Sequence, residues 1–315
     1  NITNVPYDAF CNCKELESVD ISNVTTIDED AFYSCNSLKS ISDLSNVKEI
    51  PRRAFYRCDS LKSINIPNVI TIGERAFQGC AFDTIDLPKV ETIGISAFLS
   101  CKNLRSINMP KVKILEGEAF RECNFTSLNL PATLDSIGGY ALSCNSGLKY
   151  ITIDEANENF VVKDNVLYDK DFTKLIQYPV GQEAKLISVL NTVTTIANSA
   201  FASCNFVERV DMPNVKIIEA SAFDECFRLM SVNMPKVTTI GPTASWVDSI
   251  DIPNVTILES YTFFNCRGLR SINIPNVTIL ESFAFTSCDN LKSINIPNVT
   301  KIGRRAFYRC PDLQK

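Results

Sequence analysis

Cysteine is the residue type in this chain best placed to do chemistry. There are thirteen cysteines and no histidine. Twelve recur mostly 21 to 23 residues apart: Cys13, Cys35, Cys58, Cys80, Cys101, Cys123, Cys144, Cys204, Cys226, Cys266, Cys288 and Cys310. Disulfide frameworks and zinc sites draw on close pairs, and zinc adds histidines or a second pair. Here the cysteines come singly, and the one close pair is Cys11 and Cys13. A catalytic thiol needs an activating base, and no imidazole is available near neutral pH. The spacing therefore reads as a ladder of buried, reduced thiols, each acting as a small hydrophobe. Cys11 stands outside the series and is expected to be the more exposed thiol.

Other catalytic patterns are missing from the sequence. It has no glycine-rich phosphate loop, H-E-x-x-H or G-x-S-x-G motif. Its acids are not set apart by apolar context. A Ser-Lys or Cys-Asp arrangement leaves a hydrolase as the remote alternative; the expectation is a protein that is not an enzyme and holds no cofactor or metal.

The elements behind the cysteines repeat with them. The phrase from Ala54 to Val69 returns almost verbatim from Ala284 to Val299. A fixed period of this length predicts a solenoid, in which each coil rests on its neighbours. Within one coil, Ala54, Phe55, Cys58 and Leu61 share the face of a short helix of about two turns. Ile64, Asn65 and Ile66 then alternate in, out, in, as in a strand with one buried face. Pro67 ends that strand, because proline cannot donate into a sheet ladder. Val69 and Ile72 return the chain to the core. The predicted fold is α/β: a solenoid of about 14 coils, with a parallel sheet on one face and short helices on the other. One domain is expected over residues 1–315.

The spacing Leu61-x-x-Ile64-x-Ile66 fits the leucine-rich-repeat pattern L-x-x-L-x-L. The longer phrase V-x-x-I-x-x-x-A-F-x-x-C-x-x-L-x-S-I-x-I-P resembles the BspA-like (Treponema pallidum-type) leucine-rich repeats over essentially the whole chain. The resemblance implies a secreted or surface-anchored protein associated with adhesion to host proteins or other cells. It transfers no binding residue, since the repeat is scaffold.

Two places break the pattern. Residues 145–195 hold an enlarged coil, in which Asn165-Val166-Leu167-Tyr168 and Leu175-Ile176-Gln177-Tyr178 flank a polar turn and predict a β-hairpin. The hairpin reads either as a coil joining two stacks or as a protruding contact element presenting Tyr168. Residues 240–250 form a shortened coil without the Ala-Phe-x-x-Cys segment. The only tryptophan, Trp246, stands there, either filling the gap or exposed as a contact residue.

Alternation also places a polar column on the exposed sheet face, including Asn65, Asp86, Asn108 and Asn129, with Lys62 and Arg105 in a column alongside. These six, with Tyr168 and Trp246, are the candidate partner-binding residues. The competing reading is a ladder of short polar side chains that keeps a broad sheet soluble. The basic clusters Arg52-Arg53-Arg57 and Arg304-Arg305-Arg309 read as a solvated face. Six N-x-Ser/Thr sites occur, several of them simply following from a repeated Asn-Val-Thr turn. Net charge is −5 and hydrophobic content 45%, so neither nucleic acid nor an acidic membrane surface is implied as partner. No apolar run is long enough to span a bilayer. Asn1 and Lys315 both fall inside repeats, as in a trimmed or mature piece. The expected protein is a monomeric extracellular or cell-surface module that binds an extracellular protein or glycan. A passive spacer holding another domain away from the cell is the alternative.

Overall fold

The computed structural model describes residues 2–242 and 248–314. They pack as two compact units, Asn1–Asn165 and Val166–Lys315. The fold is a parallel β-solenoid of about 13 turns rather than 14.

In the first unit most coils carry two short strands, where the sequence predicted one; the coil read as a strand at Ile64-Asn65-Ile66 has only the second, at Thr71–Ile72, and Ile64 there is half-buried. Outward-facing serine or threonine with inward valine, isoleucine or leucine forms the first, as at Ser18–Val19, Ser40–Ile41, Thr84–Asp86, Ser106–Asn108 and Ser127–Leu130. The second follows the proline turn, at Thr26–Ile27, Glu49–Ile50, Thr71–Ile72, Thr92–Ile93, Ile114–Leu115 and Ser136–Ile137. Pairing is parallel and in register, for example Glu49↔Thr71 and Thr71↔Thr92. The return of the chain to the core at Ile72 is thus itself a strand.

The expected helices are replaced by chains of β-turns. Ala54, Phe55, Cys58 and Leu61 are all fully buried, so they do form the inward face. The backbone between them differs. Ala54, Tyr56 and Cys58 donate to the carbonyls three residues back, of Pro51, Arg53 and Phe55. Arg53, Phe55 and Arg57 instead donate to Glu74, Ala76 and Gln78 of the next coil, at 2.8–2.9 Å. An α-helix consumes its amides within its own segment, leaving none to hold the neighbour. Arg53 and Arg57 also sit at φ +52° and +56°, a region no right-handed helix visits. The same pair of left-handed residues, four apart, recurs at 30 and 34, 96 and 100, 118 and 122, and 283 and 287.

Side chains stack as regularly as the backbone. Phe10, Phe32, Phe55, Phe77, Phe98 and Phe120 form one column with ring centroids 5.0–5.5 Å apart. Each buried ring contributes roughly 1.5–3 kcal/mol of transfer free energy. Leu142 takes the next place and is also buried.

The second unit opens with the anticipated hairpin: Val166–Asp169 pairs antiparallel with Lys174–Gln177. Asp169 Oδ1 closes its turn by accepting the amides of Thr173 and Lys174 at 2.7 Å. The second arm then pairs in parallel with Thr195–Ile196. This arm is therefore part of the stack. Further on, Ser231 pairs with Ser249, whereas Ser249 pairs with Ser271. The shorter first interval is the predicted short coil. Trp246 lies outside the described residues.

Candidate functional site

The cysteines form the ladder, with one substitution that sequence spacing concealed. None of the thirteen forms a disulfide, and nine are buried. Eight rungs donate the S–H to the carbonyl of the phenylalanine in the preceding coil, among them Cys58 to Phe32, Cys80 to Phe55, Cys101 to Phe77 and Cys226 to Phe201, at 2.9–3.2 Å. The expectation that Cys144 is a rung is corrected. Cys144 occupies the left-handed position of its coil, at φ +57°. Asn145 takes the rung, fully buried, with Nδ2 donating to Phe120 O at 2.8 Å. An amide N–H does here what a thiol does elsewhere. The signal in the sequence was the Tyr-Ala-Leu-Ser-Cys-Asn alignment, in which Asn145 falls at the cysteine register.

Burial pushes the rung thiols up from an ordinary 9.0, to about 11 at Cys35 and about 12 at Cys101 and Cys226. Such thiols stay protonated and inert. Cys11 is half-buried, while Cys13 is the exposed one of the pair, reversing the expectation that Cys11 is the more accessible. Burial raises Cys11 too, and the Asp8 and Asp30 carboxylates add to the effect. Neighbouring anions disfavour the thiolate, which is the opposite of what a nucleophile needs. Among the described residues no group of three or more Cys, Asp or Glu side chains is placed to hold a metal ion.

The polar column on the first strands is built as the alternation implied, and its members hold one another. Asn65 Nδ2 donates to Asp43 Oδ1 at 3.0 Å, Asn108 to Asp86 at 2.6 Å and Asn273 to Asp251 at 2.9 Å. Asn233 pairs with Asp211 in the same way, and Thr152 Oγ1 donates to Asn129 Oδ1 at 2.9 Å. Asp–Asn pairs thus recur down the polar column of each unit, each donor meeting the acceptor one coil away. Arg105 pairs with Asp83 at 3.7 Å, and Lys62 is exposed without a side-chain partner among the described residues. Lys62, Asn65, Asp86, Arg105, Asn108 and Asn129 all lie at the surface.

Tyr168 does not. It is 5% exposed and packs on Phe172, with centroids 5.6 Å apart. The apolar run that contains it faces inward because its hairpin belongs to the stack. What the enlarged coil exposes instead is the acidic stretch around Asp154, Glu155 and Glu158. Asn157 beneath it is buried and donates to Pro131, Ala132 and Leu134 carbonyls at 2.9–3.2 Å. The Asn254, Asn276 and Asn298 amides of the repeated turn likewise donate to proline carbonyls one coil back, at 2.7–2.8 Å.

Parallel strand pairs stacked coil upon coil, entered by a buried leucine and closed by a proline turn, define a leucine-rich-repeat β-solenoid. The chain belongs to the family of the BspA type leucine rich repeat region, whose model matches residues 1–81, 70–179, 181–246 and 243–315. A leucine rich cell surface protein from Faecalibacterium prausnitzii is 34% identical, with a TM-score of 0.76 over 99% of this chain and 82% of its own. A leucine-rich repeat protein from Bacteroides ovatus is 25% identical, with a TM-score of 0.59 over 100% of this chain and 82% of its own. The pneumococcal vaccine antigen PcpA, 20% identical, shares the fold, with a TM-score of 0.63 over 98% and 72% of the two chains. No curated protein matches.

Proposed function

We propose that the protein is a non-catalytic interaction module displayed at the cell surface or secreted, and that it binds an extracellular protein or glycan in the manner of an adhesin. The observation that carries this reading is the long polar face itself. It offers amide and carboxylate groups coil after coil, while nine of the thiols are buried on the turn side. Membership of a family with a cell-surface relative supports the location. Lys62, Asn65, Asp86, Arg105, Asn108 and Asn129 are the contact residues this reading assigns to the face. The acidic stretch of the enlarged coil is the alternative contact. A passive spacer is the second reading, favoured by the internal pairing of the column, which leaves few polar groups unmet.

The test is a binding screen against immobilised extracellular-matrix proteins and a glycan array. A version with residues 154–179 replaced by a short turn runs beside it. Saturable binding that survives this replacement and falls on Lys62→Ala with Arg105→Ala places the contact on the sheet face. Binding lost with the insert moves it there. No binding by a folded chain leaves the spacer.

A further inference from the structure

A recess on the turn side of the first unit has the construction of a small-ligand site. The segment from Cys80 to the strand residue Ile85 is one residue shorter than its counterparts from Cys58 to Ile64 and from Cys101 to Ile107. The short segment is drawn inward: Ala81 donates to Leu61 O at 3.0 Å, and Phe82 fills the core at 0% exposure. The full-length loops on either side stand proud as walls. Between them lies an open cavity of about 480 Å³, within the range of small-ligand sites.

Its floor is Gly79, the single glycine at a left-handed position among the described residues, with φ +78°. Other coils put a side chain there. One wall carries Tyr56, whose ring is stacked on Tyr33 at 4.8 Å, and Asp59, whose carboxylate is tethered by Asn36 at 2.7 Å. The other carries Lys102 and Asn103. Most cations of this region are paired: Arg52, Arg53, Arg75 and Lys113 all meet carboxylates. Arg57 and Lys102 line the recess and make no ion pair among the described residues. Gln78 adds a buried Oε1 with no hydrogen-bond partner, a cost that a donor in the recess relieves if the side chain swings. The second short segment, at Asn124-Phe125, is different in charge. Glu122 stands there in place of Gly79 and takes Ser100 Oγ at 2.7 Å.

We propose that this recess binds a carboxylated saccharide. Arg57 and Lys102 take the carboxylate, Arg57 through its planar fork. Asp59, Asn103 and Gln78 meet ring hydroxyls, and Tyr56 supplies the apolar wall. Asp59 decides the class: its carboxylate accepts from hydroxyl donors, which a saccharide offers in number and a small anion such as phosphate does not. This site is separate from the sheet face and from the enlarged coil, so its failure leaves the proposed function standing.

The experiment titrates the whole chain with 3′-sialyllactose, a hyaluronan tetrasaccharide, lactose and inorganic phosphate, read by saturation-transfer NMR and calorimetry. One of the two acidic saccharides is expected to bind at least about tenfold more tightly than lactose; which one separates a sialic acid from a uronic acid. Arg57→Gln, a change at an exposed position, is expected to weaken it about tenfold. Gly79→Asn fills the floor with a residue that tolerates the left-handed region, and a Cβ at this position clears its neighbours at 3.6–3.7 Å. It is expected to abolish binding with thermal unfolding unchanged. Equal binding of lactose, full competition by phosphate, or binding unchanged in Arg57→Gln would each overturn the proposal.

Discussion

At the residue scale, the cysteines settle into a structural role through where their protons go. A buried S–H that donates to a carbonyl satisfies both groups, and burial makes its loss costly. The folded chain therefore holds these protons more tightly than the unfolded one. That stabilisation is complete below about pH 9 and is lost as pH rises through about 12, the values at Cys101 and Cys226. Circular dichroism should show a flat stability from neutrality to pH 9 and cooperative loss above it. Maleimide labelling of the native chain should reach Cys13 first and leave the nine buried thiols unmodified, as read by intact mass. Rapid native labelling of Cys58 or Cys101 would contradict the ladder. The repeated cysteine was legible in the sequence. The exchange of Cys144 for Asn145 was missed by the cysteine spacing, which cannot tell a rung from its neighbour one residue away; only the distance from Ala141, four residues as from Ala54 to Cys58, carried it.

At the element scale, the apolar set of each coil was legible and the backbone joining it was not. Ala54, Phe55, Cys58 and Leu61 fit a helical face and a chain of β-turns equally well. Hydrogen bonds to the next coil decide between them, and those partners lie more than twenty residues away. The same close coil-to-coil approach constrains the residue after the second strand. A Cβ at Gly138 would lie 2.4 Å from Gly117 N and 2.7 Å from Glu116 C, both backbone atoms. At Gly117 the nearest contact would be 3.4 Å, to Gly139 O. Gly138→Ala is expected to cost about 1–3 kcal/mol through forced backbone movement. Gly117→Ala should stay within about 0.5 kcal/mol. Urea unfolding of the two variants compares them directly, and equal midpoints would refute the close approach.

At the scale of the whole molecule, stability is a sum over neighbours. Phe98 stacks on Phe77 at 5.4 Å and on Phe120 at 5.5 Å, and the inner rings of the column are shared in this way. Phe98→Ala should destabilise by about 3–5 kcal/mol. In a nearest-neighbour array that loss is felt most in the adjoining coils. Hydrogen exchange should quicken across residues 77–123 and stay unchanged across 261–308. Uniform acceleration along the chain would show a cooperativity that stacking does not supply. The enlarged coil follows the same logic: its hairpin gains stability by adding an arm to the stack, which is why Tyr168 turns inward.

The sequence by itself determined the repeat, its inward residues, the outward alternation that carries Asn65, Asp86, Asn108 and Asn129, and the hairpin. All of these depend on periodicity, and periodicity is written locally. Tertiary structure alone decided that turns replace helices, that a second strand completes each coil, that the Asn145 amide bonds the Phe120 carbonyl as a thiol does elsewhere, and that a one-residue deletion opens a recess over Gly79. Each of these depends on what one coil presents to the next: a carbonyl awaiting a donor, a backbone too near for a Cβ, a loop too short to reach its neighbour's height. Such partners are a full turn of chain apart, and only stacking brings them together.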